Sequence, residues 1–493
     1  MNNLRLQNYR CFKDTDDIDI RPITLFIGAN SSGKSSVLKF FPLLKQTIGN
    51  FVNGLYLWTG PLVDLKDFKN TLRDGSEEMS IAFTIEQLPV ESRIRSEVEK
   101  LYDVHIETVL CNFPENEHYD YIKRLTITFD GHTFSLERMD ESNMLFSVDN
   151  VNSTNLKDTI FLGPTNSLLP KVIFKINDSE VSDESVSAYK RMRGLLNGEN
   201  RIPYLRTIIR TNDNVFDDKS LKEYLQKGDS PVIDSDKIDL FVNYLHYYTI
   251  NRLIDSINLY LMDLAKYTTY VKPLRAIVER YYRFTNQAVD EIESDGSNLP
   301  MFYNSLNRKT FGEFNAWLNT LFNFIVRLQP SEGHVELQIV EKDKPVRNLV
   351  DVGFGYTQIL PIITIIWKKI YMDAKSWSRN KCKTAIVAIE QPELHLHPRF
   401  QGLFAQMLAA VVADCKKKGI DLRLVIESHS EIIVNKLGEL IASEESALSK
   451  DDVNVLIFNS PQDNLKKEII ESHYDKDGVL NNWPYGFFSD YVR

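Results

Sequence analysis

An α/β fold, with a largely parallel sheet, an antiparallel β stretch and a helical insertion, is what this sequence of 493 residues predicts. Three observations carry the prediction. Short apolar runs alternate with amphipathic helical patterns at both ends of the chain, as in a parallel sheet covered by helices. Residues 80–150 alternate apolar and polar side chains around hairpin signals. Residues 237–328 keep a helical period, broken once at Glu293–Pro300.

In order, Leu4 and Leu6 alternate with polar neighbours, as do Ile18 and Ile20, and each pair reads as a half-buried strand. Ile23–Ile27 is an uninterrupted apolar run of the buried-strand type. A glycine-punctuated loop follows, then a helix carrying Val37, Leu38, Phe40, Phe41 and Leu44. Ser80–Glu86, Tyr121–Phe129 and Thr133–Arg138 read as strands, the last two joined by an Asp130-Gly131 turn, and Met144–Val148 adds another. Polar stretches at 177–187 and 211–220 read as loops between short helices. Val335–Val340, Thr384–Ile389 and Leu422–Ile426 read as strands, Gln358–Tyr371 and Arg399–Lys418 as helices. No heptad is sustained over three or four repeats, which speaks against a coiled-coil arm.

Composition narrows the function class. Hydrophobic residues are 43% and charged residues 26% of the chain, ordinary for a soluble globular protein. The longest apolar run, Ile359–Trp367, falls short of the ~18 residues of a membrane span, and Met1–Asp14 lacks a secretory pattern. Cys11, Cys111, Cys382 and Cys415 are widely spaced and read as reduced, buried thiols, so a cytoplasmic location is expected. The formal net charge of −10 excludes a globally basic nucleic-acid binder, though not a local basic patch.

The strongest motif is Gly28-Ala-Asn-Ser-Ser-Gly33-Lys34-Ser35, a match to G-x-x-x-x-G-K-[ST] between an apolar strand and a helix. Its glycines let backbone N–H groups turn toward phosphate oxygens. In such a loop Lys34 reaches the β and γ phosphates and Ser35 ligates Mg²⁺. A phosphate loop of this kind needs a second strand ending in an acid for the Mg²⁺ site, and Thr384–Ile389 followed by Glu390 supplies it.

Glu390-Gln-Pro-Glu-Leu-His-Leu-His-Pro398 resembles the Walker B and D-loop segment of ABC-type ATPases related to the structural-maintenance, RecF and overcoming-lysogenization-defect proteins. Leu4-x-Leu6-x-Asn8-Tyr9-Arg10 resembles their first strand and its turn, Ile426–Ser430 their switch-histidine loop, and Asp351–Gln358 their signature motif. Gly60–Leu65, Pro273-Leu-Arg275, Asp295-Gly296, Asp477-Gly478 and Trp483–Phe488 resemble one stand-alone branch of predicted ATPases found in prophage and defence islands. The resemblance implies an ATPase head with an antiparallel β lobe, divided as 1–174 (N-terminal lobe with the phosphate loop), 175–329 (mostly helical insertion) and 330–493 (C-terminal lobe). It implies ATP and Mg²⁺ as cofactors. Nucleotide would be held by Arg10, Gly28, Asn30, Ser31, Ser32, Gly33, Lys34, Ser35 and Ser36, with Gly353, Gly355 and Tyr356 capping it from a second subunit. Ser35 and Glu390 would hold Mg²⁺, partly through water, and Glu390, Gln391, Glu393 and His429 would carry the chemistry.

Two positions depart from the pattern. Gly353 stands where the signature usually has serine. Gln391 stands where the catalytic glutamate belongs, and an amide orients water without accepting its proton. A general base contributes about 10²–10⁴-fold, so slow hydrolysis is expected, with Glu393 and His429 as candidate substitutes.

Three further features have ordinary readings. His395 and His397 on a loop read as orienting groups more readily than as zinc ligands. Lys272–Arg283 mixes bases and aromatics, as a DNA surface or as a packed helix with snorkelling arginines. Cys415–Lys418 places cations at a helix C-terminus, where the dipole favours them.

The expectation is an ATP-gated switch or scaffold that dimerises through ATP, assembles further, and controls a nuclease or toxin partner in anti-phage defence. About sixty residues follow Ser430, fewer than the appended nuclease domain of the overcoming-lysogenization-defect proteins needs. The alternative is a RecF-like DNA repair or recombination ATPase. A transporter subunit is disfavoured.

Overall fold

The computed structural model describes residues 1–48, 50, 52, 54–90, 100–113, 116–139, 144–149, 151–152, 160–162, 168–170, 172–174, 184–196, 222–223, 225, 233–283, 288–374, 384–459 and 468–483. They form a mixed α/β fold. Contacts divide the chain into two compact units, Met1–Tyr9 with Thr47–Trp58 and Leu65–Asp263, and Arg10–Gln46 with Thr59–Asp64 and Leu264–Arg493.

The second unit is built on a sheet whose strand order is Thr269–Val271, Thr384–Glu390, Asp421–Glu427, Ile23–Gly28, Val453–Phe458, Ile469–Tyr474 and Leu480–Asn481. The first five run parallel and the last two join antiparallel. Three central strands, Ile23–Gly28, Thr384–Glu390 and Val453–Phe458, are buried at every residue. Helices on both faces leave no polar side for alternation, hence the unbroken apolar runs. Phe354–Lys368 and Pro398–Lys418 contribute Ile359, Ile363, Phe404 and Leu408 to a core that also holds Leu25, Val387 and Leu424. A smaller antiparallel sheet pairs His334–Glu341 with Phe324–Ser331, Tyr282–Arg283 and Arg347–Asn348.

The first unit is an antiparallel meander in which Asn3–Tyr9 pairs with Glu78–Val90. The pairing continues through Lys100–Phe113, Asn116–Phe129, His132–Arg138, Met144–Val148 and Val151–Asn152. The Asp130-Gly131 hairpin lies where the sequence places it, with φ of 51° and 78°, the two positive values of a type I′ turn. Phe146 and Tyr247, on the helix Ile238–Tyr267, stack with ring centroids 4.5 Å apart.

Several elements differ from expectation. The helical period over 237–328 holds for Ile238–Tyr267, Leu299–Ser305 and Arg308–Phe322, but Thr269–Val271 and Phe324–Ser331 are strands. Thr269-Tyr270-Val271 is β-branched and aromatic, ends at Lys272-Pro273 where the backbone is biased extended, and is too short for periodicity to detect. No helix spans Lys272–Arg283, so its arginines do not snorkel along one. The helix after the phosphate loop forms in two pieces, Lys34–Leu38 and Phe40–Thr47. Cys11 is exposed, against the expectation of buried thiols, while Cys415 is buried. The 211–220 stretch, Cys382 and residues 484–488 lie outside the described residues. Among the described residues no helix is long and apolar enough to cross a membrane.

Candidate active site

The site lies in the second unit, at the carboxyl ends of Ile23–Gly28, Thr384–Glu390 and Asp421–Glu427, where ligands bind in open parallel sheets. Gly28 closes its strand beside Phe458. A Cβ there would stand 2.5 Å from the Phe458 carbonyl oxygen and 2.8 Å from Ser32 Oγ, so only glycine lets the chain leave the sheet at this angle. Ser31 and Gly33 take φ of 64° and 94°, turning successive N–H groups into a concave nest. A side chain at Gly33 would meet the Phe12 ring at 2.4 Å and Cys11 Sγ at 2.7 Å. The turn bearing Arg10, itself at φ 54°, therefore abuts the loop. Ala29, Asn30 and Ser31 are exposed and Ser35 and Ser36 half-buried.

Lys34 is only 3% exposed. Its Nζ donates to the carbonyl oxygens of Gly28 at 3.0 Å and Ala29 at 2.7 Å, folding the amine across the loop it would otherwise extend from. Burial lowers its pKa, and the carboxylates of Glu427 and Glu393 oppose that.

Three carboxylates, those of Glu390, Glu393 and Glu427, lie at or just beyond these strand ends. Glu390, at its strand end, accepts a 2.7 Å hydrogen bond from the Tyr270 hydroxyl and lies 3.9 Å from Lys39 Nζ. Burial raises its pKa, with Lys39 and Tyr270 pulling it down. Glu393 accepts from the His429 N–H at 2.6 Å and from Ser428 Oγ at 2.9 Å. Both of its oxygens thus hold the turn after Glu427. Its pKa is also raised by burial. Gln391 adopts φ 44°; its N–H donates to the Glu427 carbonyl at 2.9 Å and its own carbonyl accepts from Arg275 at 3.4 Å. His429 is held neutral-leaning by burial and by Lys34. Ser430 caps the following helix, accepting from the Ile433 N–H at 3.1 Å.

The sequence reading gives Tyr270 no role and places Arg275 in a resembling motif and in a basic-aromatic stretch, not in the catalytic cluster. Tyr270 reaches Glu390 from the neighbouring strand, in parallel register with Ala388. Arg275, 7% exposed, spans the Glu390 and Gln391 carbonyls. Only Thr269-Tyr270-Val271 before Pro273 signals this pair in the sequence.

The phosphate loop, Glu390, Gln391, Glu393 and His429 are thus brought together. Gly353, Gly355 and Tyr356 are not part of this cluster within the chain. Gly353 caps the Phe354–Lys368 helix. A Cβ on Gly355 would touch Leu396 at 3.6 Å, and the Tyr356 ring packs edge-on against Phe324 and Phe400. His397 Nδ1 accepts from the Arg399 N–H at 3.2 Å, capping its helix, and the His395 ring lies 6.1 Å from Phe354. Neither geometry is that of a metal ligand pair. Arg280 forms a fork onto Asp351 at 2.9 and 2.5 Å.

The residues present fit a magnesium nucleotide. Ser32 Oγ, Arg275 Nε, Glu427 Oε2 and His429 Nε2 are buried without a hydrogen-bond partner. Others lie elsewhere, Asp120 Oδ2 and Asn454 Oδ1 among them, but the four that converge on one sheet end mark a place that a polar ligand completes. Donors (the loop N–H groups, Lys34) and acceptors (Glu390, Ser35) are those that phosphates and a hard cation require.

A phosphate-binding loop at the mouth of a parallel sheet, facing an acid on the adjoining strands, defines a P-loop nucleotide-binding protein. The chain belongs to the AAA ATPase domain family, whose match covers residues 1–434. It is similar to Endonuclease GajA of Bacillus cereus (strain HuB5-5), 21% identical over an alignment of 445 residues that covers 86% of this chain and 54% of the relative. The chain thus spans about half the length of that curated protein. Among solved structures it is similar to the Smc head domain of Pyrococcus furiosus bound to the C-terminal domain of ScpA (10% identity, 95% of each chain, TM-score 0.36). It is also similar to the SMC head domain of Thermotoga maritima (8% identity, 92% of this chain and 94% of that one, TM-score 0.30).

Proposed function

We propose that this chain is a slowly turning ATP-dependent switch. Gly28–Ser36 binds the nucleotide phosphates, Ser35 and Glu390 hold magnesium, and Gly353, Gly355 and Tyr356 complete the same site on a second copy. The observation that carries the reading is the position of Lys34 and the orphaned Ser32 and His429 atoms beside Glu390 at one sheet end. A bound magnesium ion supplies charge neutralisation on the phosphates. Lys34 leaves the Gly28 and Ala29 carbonyls for the phosphate oxygens. Gln391, anchored through its backbone by Arg275 and the Glu427 carbonyl, orients a water but does not accept its proton. Glu393 is spent on Ser428 and His429, which favours His429 as the acceptor near the γ-phosphate. Its depressed pKa keeps it the free base at neutral pH.

Slow hydrolysis suits a protein whose output is an assembly state. The ATP-bound assembly, a dimer or higher homo-oligomer, engages a nuclease or toxin effector in anti-phage defence. Family membership and the similarity to an endonuclease support this reading. DNA repair, the rival reading, draws less support: in the basic-aromatic stretch Arg275 is buried and Arg280 is engaged by Asp351.

The test is steady-state Mg·ATP turnover of the purified chain beside Lys34→Ala, with and without double-stranded DNA, and with particle mass followed by light scattering. The expected result is low turnover and an ATP-dependent increase in mass, both lost in Lys34→Ala and unaffected by DNA. Strong stimulation by DNA moves the chain to the repair class. No nucleotide effect on mass defeats the switch.

A further inference from the structure

We infer that Glu427 is a second carboxylate of the divalent-cation site, standing beside Glu390 under the phosphate loop. The inference rests on the reading that Gly28–Ser36 binds a magnesium nucleotide, and it adds a ligand that the motifs do not assign.

The geometry begins with register. Glu390 and Glu427 are direct partners on adjacent parallel strands, so their side chains leave the same face of the sheet, one strand spacing of about 4.8 Å apart. Both are buried, at 5% and 3% exposure. Glu390 has partners for its charge, the Tyr270 hydroxyl and Lys39. Glu427 is different: its Oε2 accepts no hydrogen bond, and among the described residues no cation lies within ion-pair distance of it. Lys34, whose charge is coupled to Glu427, spends its hydrogen bonds on the Gly28 and Ala29 carbonyls.

A buried carboxylate oxygen left without a hydrogen-bond partner is costly, and replacing the side chain with an apolar residue would relieve that cost. Its persistence points to a ligand absent from the protein alone. A carboxylate oxygen with no donor of its own is a poor match for phosphate oxygens, which are themselves acceptors. A hard cation carried in with the phosphates satisfies both requirements. Magnesium is characteristically held by one or two carboxylates together with substrate phosphates rather than by an all-protein cage. Consistent with this, the described residues contain no group of three His, Cys, Asp or Glu side chains able to hold a metal by themselves. Glu390 and Glu427 are the two carboxylates, and Ser35 and the phosphates supply the rest.

A cation ligand and a structural residue predict opposite signs. The probes are a fluorescent N-methylanthraniloyl-ATP titrated into the full chain in EDTA or in Mg²⁺, and Mn²⁺ followed by electron paramagnetic resonance in the presence of ADP. In Glu427→Gln, nucleotide affinity in EDTA is expected to stay equal or to rise, because a repelling charge is gone. In Mg²⁺ it is expected to fall at least tenfold, and Mn²⁺ affinity of the ADP complex to fall with it. Glu427→Asp, which keeps the charge and protects the fold, is expected to leave EDTA binding unchanged and weaken Mn²⁺ severalfold. Equal losses with and without metal, or an unchanged Mn²⁺ affinity in either variant, overturn the inference. Lys34→Ala is the separate control: if it binds nucleotide as the unaltered chain does, the phosphate-loop reading itself fails, whatever Glu427 does.

Discussion

The two units bury carboxylates in opposite ways. In the first, Asp120 is a lone acid among neutral groups. It is 1% exposed, and its Oδ1 accepts from the Leu55 N–H at 2.9 Å and packs so closely on Gly54 that a Cβ there would stand 2.3 Å away. Burial raises its pKa to about 6, against the pull of the Leu55 and Tyr56 N–H groups and the Trp58 indole. In the second unit, Glu390, Glu393 and Glu427 lie among Lys34, Lys39 and Arg275 at the end of a parallel sheet. The lone acid holds its proton up to about pH 6, leaves its own Oδ2 without a hydrogen-bond partner, and serves to pin a loop. The clustered acids have cations around them and still leave Glu427 Oε2 and His429 Nε2 unpartnered. An unpartnered oxygen is common to both, so what separates them is company: Asp120 stands alone against a backbone turn, whereas Glu427 stands in register with Glu390 at the end of the parallel sheet.

The sharpest way to break that contrast is Lys34→Ala. If the cluster is built for phosphate, nucleotide-dependent turnover should fall by about 10²–10³-fold, the scale of losing one preorganised donor to developing charge. The melting temperature without nucleotide should barely change. A similar fall in thermal stability would make Lys34 part of the architecture instead.

The matching test in the first unit is Asp120→Asn, read as urea unfolding between pH 4 and 8. The folded pKa of about 6 lies above the ordinary value near 3.9. The folded state therefore binds the proton more tightly, and Asp120 costs stability progressively as pH rises from about 4 to about 6, constant beyond. Two pH units correspond to about 3 kcal/mol. The stability of Asp120→Asn relative to the unaltered chain should climb by up to that amount over the same interval. A difference independent of pH would show that Asp120 is not the titrating group.

Gln391→Glu probes the second unit alone. It restores a group able to take a proton from water, beside carbonyls already fixed by Arg275. Turnover should rise by tens of fold, toward the low end of general-base contributions of about 10²–10⁴. A fall in turnover would mean that a further negative charge beside Glu390 and Glu427 is not tolerated and that His429 already carries the proton.

The same contrast explains what the sequence made legible. Buried parallel strands print as unbroken apolar runs, so Ile23–Ile27 and Thr384–Ile389 stood out, and so did the Asp130-Gly131 hairpin, whose two positive φ values demand those residues. The phosphate loop is contiguous, and its Gly28 and Gly33 are required by what a Cβ would strike. Thr269–Val271 stayed hidden because three residues carry no period, and with it went Tyr270, separated from Glu390 by 120 positions. Glu427 stayed hidden for another reason. Its meaning comes from register with Glu390, and pairing between distant strands is not written in either strand alone.

Tyr270→Phe is the smallest perturbation and the most specific. Burial and the neighbouring Glu390 push the tyrosine pKa well above its ordinary value, so the hydroxyl is always a donor, and what the variant removes is one hydrogen bond to a carboxylate. Such a bond is worth about 1.5 kcal/mol at the low end of charged hydrogen bonds, or roughly tenfold in turnover. The sign of the pH effect distinguishes positioning from packing. Tyr270 helps to hold the Glu390 pKa down against burial; without it that pKa rises, and the carboxylate form is lost at higher pH. The acid limb of Mg²⁺-dependent nucleotide binding should therefore move upward in Tyr270→Phe, while binding in EDTA stays where it was. A loss of affinity with the acid limb unmoved would assign Tyr270 to the packing of its strand, and would leave Lys39 as the group that keeps Glu390 ionised.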